Sequence, residues 1–384
     1  MIGLSERKRI FVLATLFYFL LLFDSGFYFV ARGGMVLYMQ VLLAGVLAIV
    51  CKARISRNSF LILCGLAALV LVGTIVSGDS IRDYAVSMAE LITSFLIACA
   101  FTGKKSKEAT GAIRVVMIAI SICSLIAFVF TTIRLGIIAH LPVFSSSNNV
   151  ECYFWGLSFS YVPGKYYIVR NLGIFWEPGA FQTYVILALL YELFVGKRVL
   201  PRVIYTVTIL TTLSSTGIVC LLLIWIIYGF STSNRREGFL LLALLVSILS
   251  VLYFRLDFLP DSIRFNLVEK VQSVFNGNSQ EYVTVTTRVN SILYGIELLL
   301  QRPFSGIGRG LGMLKEMAGN SVISCTPINW MLQYGLIFGS IAFIGLYRFL
   351  RGVSCSHLTR LGLFGVILIS ISTEAFNISP TIFF

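Results

Sequence analysis

The sequence has few charged side chains. Asp, Glu, Lys and Arg make up 12% of its 384 residues, whereas 58% are hydrophobic, and the mean hydropathy is +0.91. Soluble globular domains have roughly a quarter of their residues charged, so this composition excludes that class. Long uncharged runs, such as 115–133 and 321–347, match the length that crosses about 30 Å of hydrocarbon. The chain is therefore predicted to be a polytopic membrane protein.

Histidine is scarce, and acidic residues are not clustered. His140 and His357 are far apart in the sequence, and no clustered pair of Asp or Glu residues indicates a ligand set. Metal sites need several such ligands close together, so we expect neither a metal nor another cofactor. The net charge of +13 is spread among loops, which argues against nucleic acid and indicates membrane topology plus an anionic partner on one side.

The N-terminal segment "MIGLSERKRIFVLATLFYFLLLF" resembles a signal peptide but lacks a cleavage site with small residues. We therefore expect it to remain as the first membrane helix. Two of the eight cysteines, Cys152 and Cys325, fall in loops predicted to lie outside the membrane. A disulfide between them and two unrelated thiols are both consistent with the sequence.

Hydrophobic runs predict an all-α fold with about eleven membrane spans in a single domain, residues 1–384. The spans lie near 10–30, 35–51, 59–77, 84–102, 115–139, 178–195, 203–214, 217–230, 238–254, 327–347 and 361–384. The pair 203–214 and 217–230 is short, and the sequence "LTTLSSTG" between them predicts a break where Ser and Thr hydroxyls satisfy freed backbone groups. If this pair is a single span instead, every later segment changes side.

The basic residues favour two helices for that pair. Most of the 30 lysines and arginines lie in six short loops: 7–9, 52–57, 104–114, 197–202, 235–236 and 348–360. All six loops fall on the same side of the membrane only if 203–214 and 217–230 are two separate helices. By the positive-inside rule that side is cytoplasmic, so the N-terminus is expected inside and the C-terminus outside. Two long loops, 140–177 and 255–326, then lie outside; if the chain has an active site on that side, we expect these loops to cap it. The second contains "RVNSILYGIELLLQRP", which predicts an amphipathic surface helix ending at Pro303.

An arginine and a glutamate bracket the segment "RNLGIFWEPG", residues 170–179, directly before an uncharged span. Pro178 suits the first position of a helix, and the N-terminus of that helix would favour anionic groups through its unpaired N–H groups and dipole. Arg170 adds positive charge nearby. Glu177 is then either a helix cap or a partly desolvated carboxylate that accepts a proton from a hydroxyl. His140 is an alternative base.

The remaining basic and aromatic candidates also allow more than one interpretation. Arg288, like Arg170, lies close to a predicted helix start and suits contact with phosphate oxygens, but loop arginines can also be merely solvated. Aromatic residues of the first long loop, in "CYFWGLSFSYVPGKYYIVR", suit either an interfacial belt or stacking on sugar rings.

Two further features are weaker. The segment "GIGRGLG", residues 306–312, lacks a surrounding strand–turn–helix unit, so it predicts a tight turn or a close backbone approach rather than a nucleotide site. Asp24 and Glu374 fall in apolar runs, where a carboxylate is either functional or hydrogen-bonded inside the bundle.

The order of "RNLGIFWEPGAF", "LTTLSSTG", "TTRVNSILYGIELLLQRPFSGIGRG" and "INWMLQYGLIFG" resembles the superfamily of O-antigen polymerases (Wzy-type) and O-antigen ligases, over residues 170–339. The form "GIFWEPG" is more similar to the polymerase branch. Ligases of this superfamily carry a histidine before the asparagine that corresponds to Asn329, where this chain has Ile328. That difference argues against a ligase and leaves the base open; Glu177 is our choice for it.

The resemblance implies a GT-C-like membrane glycosyltransferase that uses a lipid-pyrophosphate donor without a metal. The expected catalytic residues are Glu177, Arg170 and Arg288, and the two arginines would bind the pyrophosphate. The other residues expected to contact substrate are Arg302, Arg309, Asn329 and Tyr167.

The expected reaction joins oligosaccharide repeat units carried by undecaprenyl pyrophosphate, on the periplasmic face of the bacterial inner membrane, and releases undecaprenyl pyrophosphate. The expected partners are the donor and acceptor lipids and membrane lipid, with a chain-length regulator left open; the chain is expected to be a monomer that binds no nucleic acid. The first alternative is ligase-like transfer of glycan to lipid A-core. The second is a flippase or transporter of the same lipid, for which polar residues along the spans and an inverted repeat would be expected.

Overall fold

The predicted helical architecture is confirmed over the part of the chain that the structure, a computed structural model, describes. This part comprises residues 4–27, 35–133, 138, 140–145, 150–162, 169–231, 243, 246–247, 280–310, 325–353, 356–372 and 376. Its helices are α1 (Leu4–Phe23), α2 (Met35–Val50), α3 (Arg57–Ser77), α4 (Ile81–Thr102), α5 (Ser106–Thr132), α6 (Pro178–Tyr191), α7 (Val199–Thr211), α8 (Ser215–Ser231), α9 (Gln280–Gln301), α10 (Thr326–Phe349) and α11 (His357–Ile371).

Five helical segments are long and apolar enough to cross a membrane: Arg57–Ser77, Ile81–Thr102, Ser106–Thr132, Pro178–Gly196 and Thr326–Gly352. Every predicted span except 238–254 corresponds to a helix, and that span lies almost wholly outside the described residues. The last helix is shorter than the predicted span 361–384: α11 ends at Ile371. The predicted surface helix is α9, which ends before Pro303 and packs against α10. The number of eleven spans stays a prediction.

Helix α6 is the centre of the bundle. Its sequence, "PGAFQTYVILALLY", has no charged side chain, and it packs against α5, α7, α8 and α11. The span that it begins is 67% buried over its most apolar window, whereas the other four are 17% to 39% buried. The helix that follows the segment 170–177 is therefore held by protein on most sides, which makes its N-terminus a rigid place for a site.

The helix ends group into two faces. At one of them Arg9 of α1 pairs with Glu108 of α5 at 3.4 Å, Lys105 N–H donates to the Cys51 carbonyl at 3.3 Å, and the Ser231 and Thr359 hydroxyls lie 2.7 Å apart. We call this the basic face, because the Lys- and Arg-rich loops at 52–57, 104–107 and 197–202 join helices there. The opposite ends, where α6, α8 and α10 begin, form the mouth face. Helices α7 and α8 are separate, as the basic loops predict.

The assignment of Arg114 to a basic loop is wrong. Arg114 lies in α5 and forms a buried ion pair with Glu192, whose side chain is 1% exposed. Glu192 begins a single π-helical turn, Glu192–Gly196, and its carbonyl accepts from Arg202 Nε at 3.0 Å. A carboxylate buried between helices needs a paired cation. Arg114 therefore has a structural role that its position near a lysine cluster does not reveal.

A small antiparallel sheet, in the order β1 (Val143–Ser145), β2 (Glu151–Phe154) and β3 (Phe159–Tyr161), covers the mouth face. It was not predicted. Strand β3 packs against α5, and the Phe159 ring stacks on Phe27 with centroids 3.8 Å apart. Cys152, in β2, and Cys325, before α10, are both buried free thiols, so the structure has the two separate thiols and not the disulfide.

Candidate functional site at the mouth face

The segment before α6 is held in the bundle by Asn171. Its backbone N–H donates to the Thr211 carbonyl at 3.1 Å, and its Nδ2 donates to Thr211 Oγ1 at 2.9 Å and to Ser124 Oγ at 3.1 Å. Its Oδ1 accepts from Gly173 N–H at 3.1 Å. Asn171 is 2% exposed, so these bonds replace the water that it loses on burial. The sequences "RNLGIFWEPG" and "LTTLSSTG" are thereby brought into direct contact.

Arg170 lies on the same break between α7 and α8. Its Nε donates to the Thr212 carbonyl at 3.0 Å, and the side chain is half-buried. Helix α7 has 13 residues, so it is roughly 20 Å long, which is short of the about 30 Å of bilayer hydrocarbon. Arg170 thus carries a positive charge to the break at which this short helix ends.

Close packing fixes the path from Arg170 to α6. Gly173 has φ +57°, and a Cβ there would lie 2.5 Å from the Phe181 ring. The Phe175 ring stacks on Tyr184 with centroids 4.3 Å apart. Trp176 packs against Gly26, where a Cβ would lie 2.8 Å from the indole. The aromatic residues of "GIFW" thus hold the backbone on both sides, and only glycine fits at position 173.

Glu177 occupies the N-cap position of α6, but only its backbone takes part in the cap. Its φ of −144° and ψ of 149° are extended, its carbonyl accepts from Phe181 N–H at 3.2 Å, and Pro178 follows at the first helical position. Its carboxylate makes no capping hydrogen bond and is half-buried. The helix-cap interpretation of this side chain is therefore wrong.

The break between α7 and α8 has the hydroxyl bonds that its sequence predicts. Thr211 Oγ1 donates to the Thr208 carbonyl at 2.8 Å, and Thr212 Oγ1 donates to the Ile209 carbonyl at 2.7 Å. Leu213 adopts φ +49° between the two helices. Bonds of this kind stabilise irregular backbone at membrane depth, where it is tolerated if buried or facing a cavity.

Arg309 is engaged by two acidic residues of the mouth face. Its guanidinium pairs with both oxygens of the Glu90 carboxylate, and its backbone N–H donates to Asp79 Oδ2 at 2.6 Å. Burial lowers the pKa of the Arg309 guanidinium, but the Glu90 carboxylate outweighs this and raises the pKa above its ordinary value. Arg302 lies nearby, and its Nη1 donates to the Val76 carbonyl at 3.3 Å. These contacts give both arginines structural partners within the protein.

Helix α10 is broken at Gly335, which has φ +86°. Leu336 N–H donates to the Pro303 carbonyl at 2.7 Å, and the freed Leu332 carbonyl accepts from Ile307 N–H at 2.7 Å. A Cβ at Gly306 would lie 2.5 Å from the Leu332 carbonyl oxygen. The glycines of "GIGRGLG" therefore provide a close backbone approach, as predicted.

The other predicted site residues are placed only in part. Asn329 is 2% exposed in α10, and its Oδ1 accepts from Gln333 Nε2 at 3.1 Å. Arg288 belongs to α9, but its side chain lies outside the described residues, as does all of Tyr167. His140 is exposed. Arg170 and Glu177 thus lie seven positions apart on one packed segment, while a shared pocket of Arg170 and Arg288 stays a prediction.

Three polar residues of this region were missed from the sequence. Asn171 and Gln182 belong to the motif around Pro178, but neither residue type indicates a role by itself. Glu90 lies in the apolar run "MAELITSFLIACAF", so the intramembrane-carboxylate signal that identified Asp24 would also have identified Glu90.

Comparison with known proteins gives no match to a family model, to a curated protein or to a solved structure. The case for a function therefore rests on the residues of the mouth face and their chemistry.

Proposed function

We propose that this protein is a membrane glycosyltransferase that polymerises oligosaccharide repeat units carried by undecaprenyl pyrophosphate, as its resemblance to Wzy-type O-antigen polymerases implies. The observation that carries the proposal is the placement of Arg170 and Glu177. The arginine lies at the break between α7 and α8, and Glu177 lies seven positions later at the start of a span that is 67% buried over its most apolar window.

The chemistry of glycosyl transfer needs both kinds of group. A hydroxyl of the acceptor repeat unit attacks the anomeric carbon of the donor sugar, the bond from that carbon to the pyrophosphate oxygen breaks, and lipid pyrophosphate leaves with the bonding electrons. Negative charge therefore builds on the leaving oxygen. A guanidinium that contacts this oxygen more strongly in the transition state than in the ground state lowers the barrier.

Arg170 is suited to this role because it is half-buried at the break between α7 and α8. Its Nε is fixed by the Thr212 carbonyl, and a fixed guanidinium loses little entropy on binding a diphosphate. Arg288 would supply the second guanidinium from α9. That role follows from the resemblance and from its position in a helix that packs on α10.

Glu177 is the proposed general base. It would take the proton of the attacking acceptor hydroxyl, which requires a carboxylate that is held in position and partly desolvated. Its half-buried position and its fixed backbone at the start of α6 support this role. We place the mouth face in the periplasm and the basic face in the cytoplasm, because the basic loops favour that orientation in a bacterial inner membrane.

The test uses purified protein in nanodiscs with synthetic polyprenyl-pyrophosphate-linked repeat units, with polymer length read on a gel. Arg170→Ala is expected to lower turnover about 10²–10³-fold, and Glu177→Gln about 10²–10⁴-fold. Arg82→Ala removes an exposed arginine from the first turn of α4 on the same face and is expected to polymerise normally. Wild-type rates in both Arg170→Ala and Glu177→Gln would refute the proposal. If only Glu177→Gln retains full activity, the base is another group, and His140→Ala is the next variant to measure.

A further inference from the structure

Gln182 is a buried amide without a partner. It lies in the second turn of α6 with no exposed surface, and neither its Oε1 nor its Nε2 has a hydrogen-bond partner among the described residues. Its Oε1 lies against Gly217 of α8, at the position that a Cβ would occupy. Buried amides that stay unpaired are rare, because the loss of water is not compensated. The unpaired amide therefore faces the first turn of α8.

The first turn of α8 has backbone N–H groups that no helical carbonyl accepts from. Ile218 N–H donates to the Ser214 carbonyl at 3.0 Å, so Ser214 is the cap residue. The amides of Ser215, Thr216 and Gly217 precede this first helical bond and have no intrahelical acceptor. Ser215 is exposed and Thr216 is half-buried, so the turn can be reached from outside the protein.

The end of α7 is different from the start of α8. Its carbonyls at Thr211 and Thr212 accept from Asn171 N–H and Arg170 Nε, at 3.1 Å and 3.0 Å. The negative end of α7 is thus neutralised by protein, whereas the positive end of α8 is not. A helix N-terminus with unpaired amides and an arginine beside it favours an anion. A broken helix pair at membrane depth often presents such an end to a negatively charged substrate group.

We infer that the first turn of α8, with Arg170 beside it and Gln182 behind it, binds one phosphate of a polyprenyl diphosphate, and that the Gln182 amide turns over so that Nε2, in place of Oε1, faces the turn and donates to that phosphate. This inference rests on the proposed function, because it locates the donor's diphosphate within the same site. It assigns the binding to backbone amides and a neutral side chain, in addition to the arginines.

The experiment measures binding of geranylgeranyl diphosphate to the protein in phosphatidylcholine nanodiscs. Gln182→Leu is expected to weaken binding about tenfold, which corresponds to about 1.4 kcal/mol. The same variant is expected to keep or raise the melting temperature, because an unpaired buried amide has been removed. Thr183→Val is the matched control: Thr183 is the next residue of α6, and its hydroxyl accepts from Ser370 Oγ at 2.9 Å. It should lower the melting temperature and leave the affinity unchanged.

A second pair of variants tests the backbone. Proline is well tolerated at the first position of a helix but has no N–H. Ser215→Pro is therefore expected to weaken binding several-fold, whereas Ser215→Ala, which keeps the amide, should bind as wild type does. Equal affinities for these two variants would overturn the backbone part of the inference.

The ligand controls separate the sources of the anion. Inorganic pyrophosphate is expected to compete with geranylgeranyl diphosphate, and geranylgeraniol is not. Competition by the alcohol alone would mean that the protein recognises only the lipid chain, and the inference would be wrong. If the wild type binds the diphosphate and Gln182→Leu binds it equally well, Gln182 has no such role while the proposed function stands. If the wild type shows no preference for the diphosphate over the alcohol, both the inference and the proposed function are wrong.

Discussion

Arg309 and Glu90 form a bidentate ion pair, with Nη2 to Oε1 at 2.8 Å and Nη1 to Oε2 at 2.5 Å, although 219 residues separate them in the sequence. Their side chains are 17% and 13% exposed. Ser87 Oγ lies 3.5 Å from Arg309 Nη1 and 2.9 Å from the Tyr334 hydroxyl. The pair therefore links α4 to the loop that closes the break in α10, and it explains why an arginine predicted to bind substrate points into the protein.

Removing one member of this pair is expected to destabilise the protein. Glu90→Leu or Arg309→Met would leave a buried charge unpaired, which costs about 3–5 kcal/mol. The double variant, Glu90→Leu with Arg309→Met, should recover most of that loss, because no charge remains buried. The measurement is the melting temperature in detergent for the two single variants, the double variant and the wild type.

The ion pair of Arg9 and Glu108 provides a comparison. The Arg9 side chain is 43% exposed and the Glu108 side chain 16%, so Glu108→Gln is expected to destabilise the protein less than either single variant of the Glu90–Arg309 pair does. Additive losses in the double variant of Glu90 and Arg309 would contradict the coupling. A double variant that is stable but cannot polymerise would show that Arg309 contacts substrate as well.

The conformation of Gly173 predicts which glycine of the mouth face is sensitive. Gly173→Ala combines φ +57° with a Cβ 2.5 Å from the Phe181 ring, so both backbone strain and a clash oppose it. It should displace the segment that carries Arg170 and Glu177, with a large loss of stability and turnover. Gly156→Ala has φ +84° and open space around the Cβ, so it carries strain alone, about 1–2 kcal/mol. Equal melting temperatures for the two variants would show that the approach to Phe181 is unimportant.

Apolar runs located the helices of this protein well, because the length of a span and its lack of charge are local properties. The charges of the basic loops also separated α7 from α8 correctly. The break in α10 was not predicted, since a glycine inside an apolar run such as "MLQYGLIFG" is compatible with a straight helix. It exists because the Pro303 carbonyl replaces the helical partner of Leu336 N–H, and that contact is tertiary.

The candidate site was predicted as a segment and not as a set of contacts. The motif around Pro178 indicated where an anion would be favoured, and Glu177 does lie at the start of α6. The sequence did not show that Asn171 holds this segment against Thr211, or that Arg309 is paired with Glu90. Both contacts join residues that are distant in sequence, so neither periodicity nor spacing could indicate them.

The break in α10 predicts opposite effects for two glycines of one helix. A Cβ at Gly335, which has φ +86°, would collide with the Phe304 carbonyl oxygen. Gly335→Ala should therefore separate the loop 303–310 from α10 and lower the melting temperature. Gly345 has open space around its Cβ, so Gly345→Ala should be neutral or stabilise by up to about 1 kcal/mol through helix propensity. Faster proteolysis within 303–310 for Gly335→Ala alone would support this account, and identical digestion patterns would contradict it.

The acidity of the Cys152 thiol tests whether the small sheet is packed as the structure shows. Burial, with a smaller effect of the Glu151 carboxylate, raises the pKa of the Cys152 thiol from 9.0 to about 12. The folded state therefore binds this proton more tightly than the unfolded state does. The resulting stabilisation is complete below pH 9 and is lost progressively as the pH rises from 9 towards 12.

The thiolate is the form that reacts with a maleimide, so a variant with Cys152 as its sole cysteine should be alkylated slowly at pH 8. The comparison is a cysteine-free variant with Ser145→Cys, because Ser145 is exposed in β1, opposite Glu151 of the same sheet. The Ser145→Cys variant should react much faster in the folded protein, and the two thiols should react at similar rates in denaturing detergent. Rapid alkylation of Cys152 in the folded protein at pH 8 would mean that the sheet does not cover this thiol, and the packing of β2 against the mouth face would then need revision.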